Sequence, residues 1–347
     1  MNDKPQLQII PDATLFKWIG GKSWLKSELR EITHQILQRK PEIDTYVEPF
    51  MGGLGAFLGV ADTLLKHNIN SIILNDLNPL LVHIMKTIRD PEHCEDIKKQ
   101  FVQINQGLII KIPTKVISPQ RKKILFQDFK FSKENAKEEK VWVKNKLEKA
   151  QRYFLKQRKK FNNKKLNNEL DNEIVALFLF IMNHCFNGVY RENNQGEYNV
   201  GYNWATKPQQ ESRKLLLIDQ WHTFLNQFNI TFSNEDAITL LNQAKNKNAL
   251  FYLDPPYLNH KNGVIMQQYE NSYSKEGFNL NDQILLVEAT MEKDHFIYSN
   301  HDAPLLINTF KGINKNKINT KIIARHNIMS AGCRANKINE MIVFSKY

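Results

Sequence analysis

Residues 44–61 read DTYVEPFMGGLGAFLGVA. Thr45 to Val47 form a short strand-favouring run, and Glu48 stands at its end. Gly52, Gly53 and Gly55 then supply a turn, and Ala56 to Leu65 begin a helix. Glycine lets the backbone approach a ligand closely. Strand, glycine turn and helix in this order make the cradle of a nucleotide-type cofactor in an open α/β sheet. The next strand, Ser71 to Leu74, ends in Asn75-Asp76-Leu77-Asn78. Asp76 follows Glu48 by 28 positions, where an acid can accept from both hydroxyls of a ribose. Capping a helix is the alternative role for Asp76.

A second stretch, LFYLDPPY over residues 250–257, reads as a buried strand that stops abruptly. Pro255 and Pro256 remove two backbone donors and fix two φ angles. Asp254, the free carbonyls and the Tyr257 ring are thereby held in a rigid knob at a strand's carboxyl end, where open α/β sheets bind ligands. A stiff set of acceptors beside an aromatic plate suits a flat ring bearing an amino group. Near the start, LFKWIGGKSWL over residues 15–25 leads into a Gly20-Gly21 turn flanked by Lys17 and Lys22, with Ser23 placed to cap a following helix.

The chain has 347 residues, a net charge of +12, 41% hydrophobic residues and 20 phenylalanines, enough for a sizeable core in one large domain or two. The longest apolar run, Ile174 to Met182, has nine residues, half of the roughly 18 needed to span a bilayer. The N-terminus lacks a secretory pattern. Cys94, Cys185 and Cys333 fit neither a metal site nor a disulfide framework. These features predict a cytoplasmic protein without structural zinc.

The charge is concentrated. Residues 111–170 hold 19 Lys or Arg against 6 Asp or Glu, a net of +13, so the rest of the chain carries about −1. Phe126, Phe129, Phe131, Trp142, Tyr153, Phe154 and Phe161 are interleaved there, a composition that suggests a phosphate-binding surface. A solvated helical face is the alternative. From about Ile84 to Arg213 the strand–helix alternation gives way to helical stretches such as Val141 to Phe161, then to the apolar IVALFLFIMNHCF, read as a buried helix. A polar segment follows, with a turn at Asn194-Gln195-Gly196 and hairpin-like alternation around Tyr198 and Asn199. Arg191 in it can reach a guanine edge or pair with Glu192 or a phosphate. Alternation resumes with Asn229 to Phe232 and Asp236, and ends with strands at Phe296 to Ser299, Lys321 to Ala324 and Met341 to Ser345. Residues 258–280 read as a mobile polar loop.

Together, KWIGGK (17–22), VEPFMGGLGAFL (47–58), LNDLN (74–78), NHCFNGVYRENNQGEYNV (183–200), DPPY (254–257), SNHD (299–302) and SAGCRANKINEMIVF (330–344) resemble the Dam-like DNA adenine-N6 methyltransferases, the D12 class with alpha-type motif order. The resemblance implies a Rossmann-like α/β sheet that binds S-adenosyl-L-methionine. It also implies a mainly helical recognition domain at 84–213, inserted between catalytic segments 1–83 and 214–347. By the same resemblance, Trp18, Gly20, Gly21, Lys22, Glu48, Pro49, Phe50, Gly53, Gly55, Asp76, Asp236 and Asp254 line the cofactor site. Asp254, Pro255, Pro256 and Tyr257 form the catalytic corner, and Lys17, Asn187, Arg191, Asn193, Tyr198, Asn199 and Asn300 contact double-stranded DNA. No metal is implied. The expected state is a monomer or weak dimer on DNA, away from membranes, with a cognate restriction endonuclease as a functional rather than physical partner. Gly201 departs from the family's usual proline after Asn-Val, which leaves the target sequence open. Transfer to RNA adenine or to a protein glutamine, and a catalytically silent DNA-binding module, are the alternative readings.

Overall fold

The structure, a computed structural model, describes residues 9–18, 20–22, 24–109, 134–203, 210–244, 248–257, 259–261, 264–266, 278–326 and 337–346. The chain divides into two compact units: residues 1–14, 18–86 and 223–347, and residues 15–17 and 87–222.

The first unit is built on a seven-stranded sheet of order β3-β2-β1-β4-β7-β9-β8. Its strands are β1 (Thr45–Glu48), β2 (Ser71–Asn75), β3 (Asn229–Ser233), β4 (Ala249–Leu253), β7 (His295–His301), β8 (Ile318–His326) and β9 (Lys337–Ser345). The first five run parallel, and β9 lies antiparallel to both β7 and β8. Every residue of β1 and β4 is buried, as expected for central strands covered on both faces. Helices α1 (Lys26–Arg39) and α2 (Gly55–Lys66) surround the sheet together with helices at Ala237–Gln243, Leu280–Met291 and Pro304–Asn314. Neighbouring β1 turns to β2 on one side and pairs with β4 on the other, so the strand order reverses between β1 and β4. A crevice opens at the carboxyl ends of such a pair.

The second unit is helical. It holds α4 (Pro91–Ile109), α5 (Glu134–Leu166) and α6 (Asn172–His184), while α3 (Pro79–Arg89) and α7 (Gln210–Leu225) each cross a boundary between units. The run from Ile174 to Ile181 is fully buried within α6, capped by the Asp171 side chain on Ile174 N–H. Gly107 on α4 lets Tyr153 of α5 come close: a Cβ there would lie 2.2 Å from the Tyr153 hydroxyl oxygen, which donates to the Ile104 carbonyl at 2.9 Å.

Three local expectations change. Helix α1 begins at Lys26 with Leu25 at its N-cap and no side-chain cap, while Ser23 lies outside the described residues. Within 258–280, where a loop was expected, Asn259–Lys261 and Val264–Met266 pair as a short antiparallel hairpin, β5–β6. Tyr153, Phe154 and Phe161, counted in the sequence as part of a phosphate-binding surface, instead pack inward on Phe178, Phe180, Tyr198 and Tyr202. Phe126, Phe129, Phe131 and the side chain of Trp142 fall outside what the structure describes, as does the Ser330 to Asn336 turn. No helix among the described residues is long and apolar enough to cross a membrane.

Candidate active site

The turn after β1 is shaped by glycine. Gly52 has φ +47°, and a Cβ on it would lie 3.0 Å from Trp18 Cδ1, so the indole packs against bare backbone. Gly20 has φ +81°, and a Cβ on Gly55 would meet Lys22 N at 3.4 Å. The two glycine turns, 20–22 and 52–55, thus pack backbone to backbone. Glu48 is buried beneath them. Its carboxylate accepts from the Tyr46 hydroxyl at 3.0 Å and from the Phe57 amide, and burial pushes its pKa well up. This holds the turn in place; it does not present an open acid. Pro49 is buried, and Phe50 meets Phe278 edge-on.

Asp76, at the end of β2, accepts from Gly52 N–H through Oδ2 and from Asn78 N–H through Oδ1, both at 2.9 Å. Burial pushes its pKa up to about 6, against the pull of those two donors. A carboxylate oxygen holding one donor still has a lone pair for another, so Asp76 is suited to a vicinal diol. Asn75, which sequence reasoning left aside, ties the loops together. Its Nδ2 donates to the Pro49 and Glu235 carbonyls at 3.0 Å each, and its Oδ1 accepts from Ser233 Oγ at 2.8 Å and Glu235 N–H at 2.9 Å. Asp236 is exposed and caps the helix Ala237–Gln243 by accepting from Thr239 N–H.

The corner after β4 is gripped from several sides. Lys22 Nζ lies 2.8 Å from Asp254 Oδ1, donates to the Gly20 carbonyl at 2.7 Å and sits 4.4 Å from the Tyr257 ring centroid. Ser299 Oγ donates to the same Asp254 oxygen at 3.2 Å. The Tyr257 hydroxyl donates to the buried Glu340 at 3.2 Å, and His301 meets its ring edge-on at 4.6 Å. Burial, reinforced by Asp254, drives the Tyr257 hydroxyl pKa well up and keeps it neutral. Gln283 Nε2 donates to the Pro256 carbonyl at 2.5 Å, while its Oε1 accepts from Tyr298 at 2.7 Å and from Asn300 at 3.2 Å. Asn300 is fully buried in that network, so it supports the corner and does not face DNA as expected. Gln283 belongs to no sequence motif; Ser299 and Glu340 lie within SNHD and SAGCRANKINEMIVF but were assigned no role there.

The family model for D12 class N6 adenine-specific DNA methyltransferases matches residues 18–330. The chain belongs to this family. As a D12 methyltransferase it transfers a methyl group to adenine N6 in DNA. It is similar to the type II methyltransferase M.MjaIII of Methanocaldococcus jannaschii, with 26% identity over 78% of this chain and 77% of that protein. It is also 24% identical to type II methyltransferase M1.LlaDCHI of Lactococcus lactis subsp. cremoris, over 94% of this chain and 93% of that one. A DNA adenine methylase of Vibrio cholerae is 23% identical over the same 94% and 93%. No finding favours RNA or protein as the substrate of this methyltransferase.

In the second unit of the D12 methyltransferase, Lys17 is exposed, and its Nζ reaches the Asn187 carbonyl at 3.5 Å. Asn187 and Gly188 both take left-handed backbone, φ +58° and +66°. Flanking them, Phe186 and Val189 present 58% and 41% of their surface to solvent. Arg191 is exposed and pairs with Asn199 Oδ1 at 2.9 Å; Glu192, the expected alternative partner, is taken by Lys165 and Tyr190. Asn193 closes the turn by accepting from Gln195 and Glu197 N–H. Tyr198 is buried, its hydroxyl bonded to the Val189 carbonyl, so it belongs to the core of this unit and not to a DNA surface.

Proposed function

We propose that the methyltransferase draws its methyl group from S-adenosyl-L-methionine held over the two glycine turns and Asp76. It then methylates an adenine flipped out of a short double-stranded site. The sulfonium supplies an already activated methyl, so the protein's task is alignment and charge placement. Asp254 and the Pro255 carbonyl accept hydrogen bonds from the two N6 hydrogens, drawing the nitrogen lone pair out of the ring for in-line attack on the methyl carbon, whose bond to sulfur breaks to leave a neutral thioether while one N6 proton passes to solvent. The neighbouring Pro256 carbonyl is engaged by Gln283, which leaves the corner one fixed orientation. Tyr257 stacks on the base from a ring anchored by Glu340, His301 and Lys22. The second unit, residues 15–17 and 87–222, recognises the site through Lys17, Asn187, Arg191 and Asn199.

The observation that carries this reading is the arrangement of Lys22, Ser299 and Gln283 around residues 254–257, at the same sheet edge as the Gly52–Asp76 bond. Two relatives are named type II methyltransferases, which supports a protective role beside a restriction endonuclease. Incubation with methyl-labelled S-adenosyl-L-methionine and duplex DNA, RNA or protein is the test. Label in N6-methyladenine of DNA alone is expected, and single-molecule sequencing of DNA from expressing cells should return one short motif. Label in RNA or protein but not DNA would overturn the reading.

A further inference from the structure

Helix α5 carries most of the cationic residues that the structure describes in the basic segment, and they sort onto different stripes. Lys149, Arg152, Lys156 and Lys159 recur every three or four positions and are all exposed. Ala150, Phe154 and Phe161 form an apolar stripe with no exposure. A third stripe, Arg158, Asn162 and Lys165, recurs at the same helical spacing and is turned to the backbone of residues 196–200.

Arg158 Nη1 donates to the Asn199 and Val200 carbonyls, both at 3.0 Å. Asn162 pairs with Tyr198 in both directions, donating to its carbonyl at 3.1 Å and accepting its N–H at 2.9 Å, the pattern by which one strand would read another. Lys165 donates to the Gly196 carbonyl at 2.6 Å and pairs with Glu192 at 2.8 Å. Facing that grip, the two arms of the loop are joined by the Glu192–Tyr198 bridge, by Asn199 N–H on the Arg191 carbonyl at 3.1 Å and by Arg191 on Asn199 Oδ1.

We infer that Arg158, Asn162 and Lys165 are positioning residues for sequence specificity, fixing the loop so that Arg191 and Asn199 meet base edges in one register. The outer stripe of Lys149, Arg152, Lys156 and Lys159 serves phosphate attraction, which carries no sequence information. One helix thus separates the two components of DNA recognition. The inference rests on the proposed role of residues 186–200 in reading DNA and adds what holds them.

The test compares Arg158→Ala and Lys165→Ala with a variant in which all four outer residues become Gln. Methylated adenines are mapped by single-molecule sequencing, and kcat/KM is measured on the motif so found and on its single-base alterations. Arg158→Ala should lower discrimination at one or more motif positions by at least about tenfold, the size of one good base contact. The salt slope of DNA binding should then change by no more than about one ion. The outer-stripe variant should do the reverse: an unaltered motif, with the slope of log K against log salt reduced by up to about 3.6. Wild-type discrimination in Arg158→Ala, or equal loss of discrimination in the outer-stripe variant, overturns the inference. Should Arg158→Ala fail to fold, Arg158→Lys and Lys165→Ala carry the same criterion. A wild-type enzyme that methylates adenines without any motif would instead remove the reading role of the loop itself.

Discussion

Lys22 Nζ and Asp254 Oδ1 stand 2.8 Å apart, and the lysine side chain is only 2% exposed. The first comes from the turn before α1, the second from the end of β4, so one ion pair joins the cofactor cradle to the catalytic corner. Taking one member from a buried pair leaves the other charged without a partner, at a cost of about 3–5 kcal/mol. Asp254→Ala is therefore expected to abolish methyl transfer and also to lower the melting temperature, with DNA binding largely kept in a gel-shift assay. Adding Lys22→Met should recover part of the lost melting temperature in calorimetry while activity stays absent. A double variant that melts below Asp254→Ala would show that the pair does not couple these elements.

Asp76 gives the site a pH dependence. Burial holds its pKa up to about 6 in the folded protein. The unfolded chain releases that proton near pH 4. Between about pH 4 and 6 the folded state binds more protons, so this group's contribution to stability falls as pH rises and levels off above pH 6. Ribose hydroxyls donate to the ionised form. Affinity for S-adenosyl-L-methionine, read by titration calorimetry, should accordingly drop by up to about tenfold per unit below pH 6. Asp76→Asn should bind weakly with a flat profile; a steep profile in that variant would assign the titration to another group.

Much of the first unit was legible because its chemistry is written in residues with narrow conformational roles. Gly52 takes a positive φ that other residues avoid, Pro255 and Pro256 fix their own φ, and Asp76 ends a strand. Asn75, Ser299 and Glu340 lie inside quoted motifs, yet their roles and that of Gln283 were silent because their partners lie from 15 to 160 positions away and their residue types occur everywhere. The basic segment misled in a specific way. A charge count over 60 residues averages the faces of a helix, so Phe154 and Phe161, seven positions apart on its apolar stripe, passed for part of a phosphate-binding surface. Tyr198 and Asn300 sat in polar surroundings that looked exposed, yet α5 covers one and Gln283 the other.

Glycine at 52 should prove irreplaceable where other glycines are not. With φ at +47° and a Cβ due 3.0 Å from Trp18 Cδ1, Gly52→Ala adds left-handed strain of roughly 1–2 kcal/mol and displaces the indole. Cofactor affinity should weaken by about tenfold or more, with a lower melting temperature. Gly312→Ala is the control of opposite sign. It lies in the exposed part of the helix Pro304–Asn314 with nothing within 4 Å of its Cβ, and should raise stability by about 0.5–1 kcal/mol. Equal effects at the two positions would mean that the turn tolerates a side chain.

Asn75 is the strongest test of how the cradle is held, because it touches neither proposed substrate. All four of its hydrogen bonds are internal and join the ends of β1, β2 and β3. Leaving buried partners unsatisfied costs about 1–3 kcal/mol each. Asn75→Ala is expected to lose at least about 3 kcal/mol in denaturant unfolding. Asn75→Asp keeps the shape but sets an acceptor against the Pro49 and Glu235 carbonyls in a fully buried site, and should destabilise at least as much. The functional signature should be a raised Kd for the methyl donor, as Pro49 and the glycine turn shift away from Asp76, with kcat at saturation reduced far less. A variant that loses kcat while keeping its cofactor affinity would place the influence of Asn75 on the catalytic corner instead.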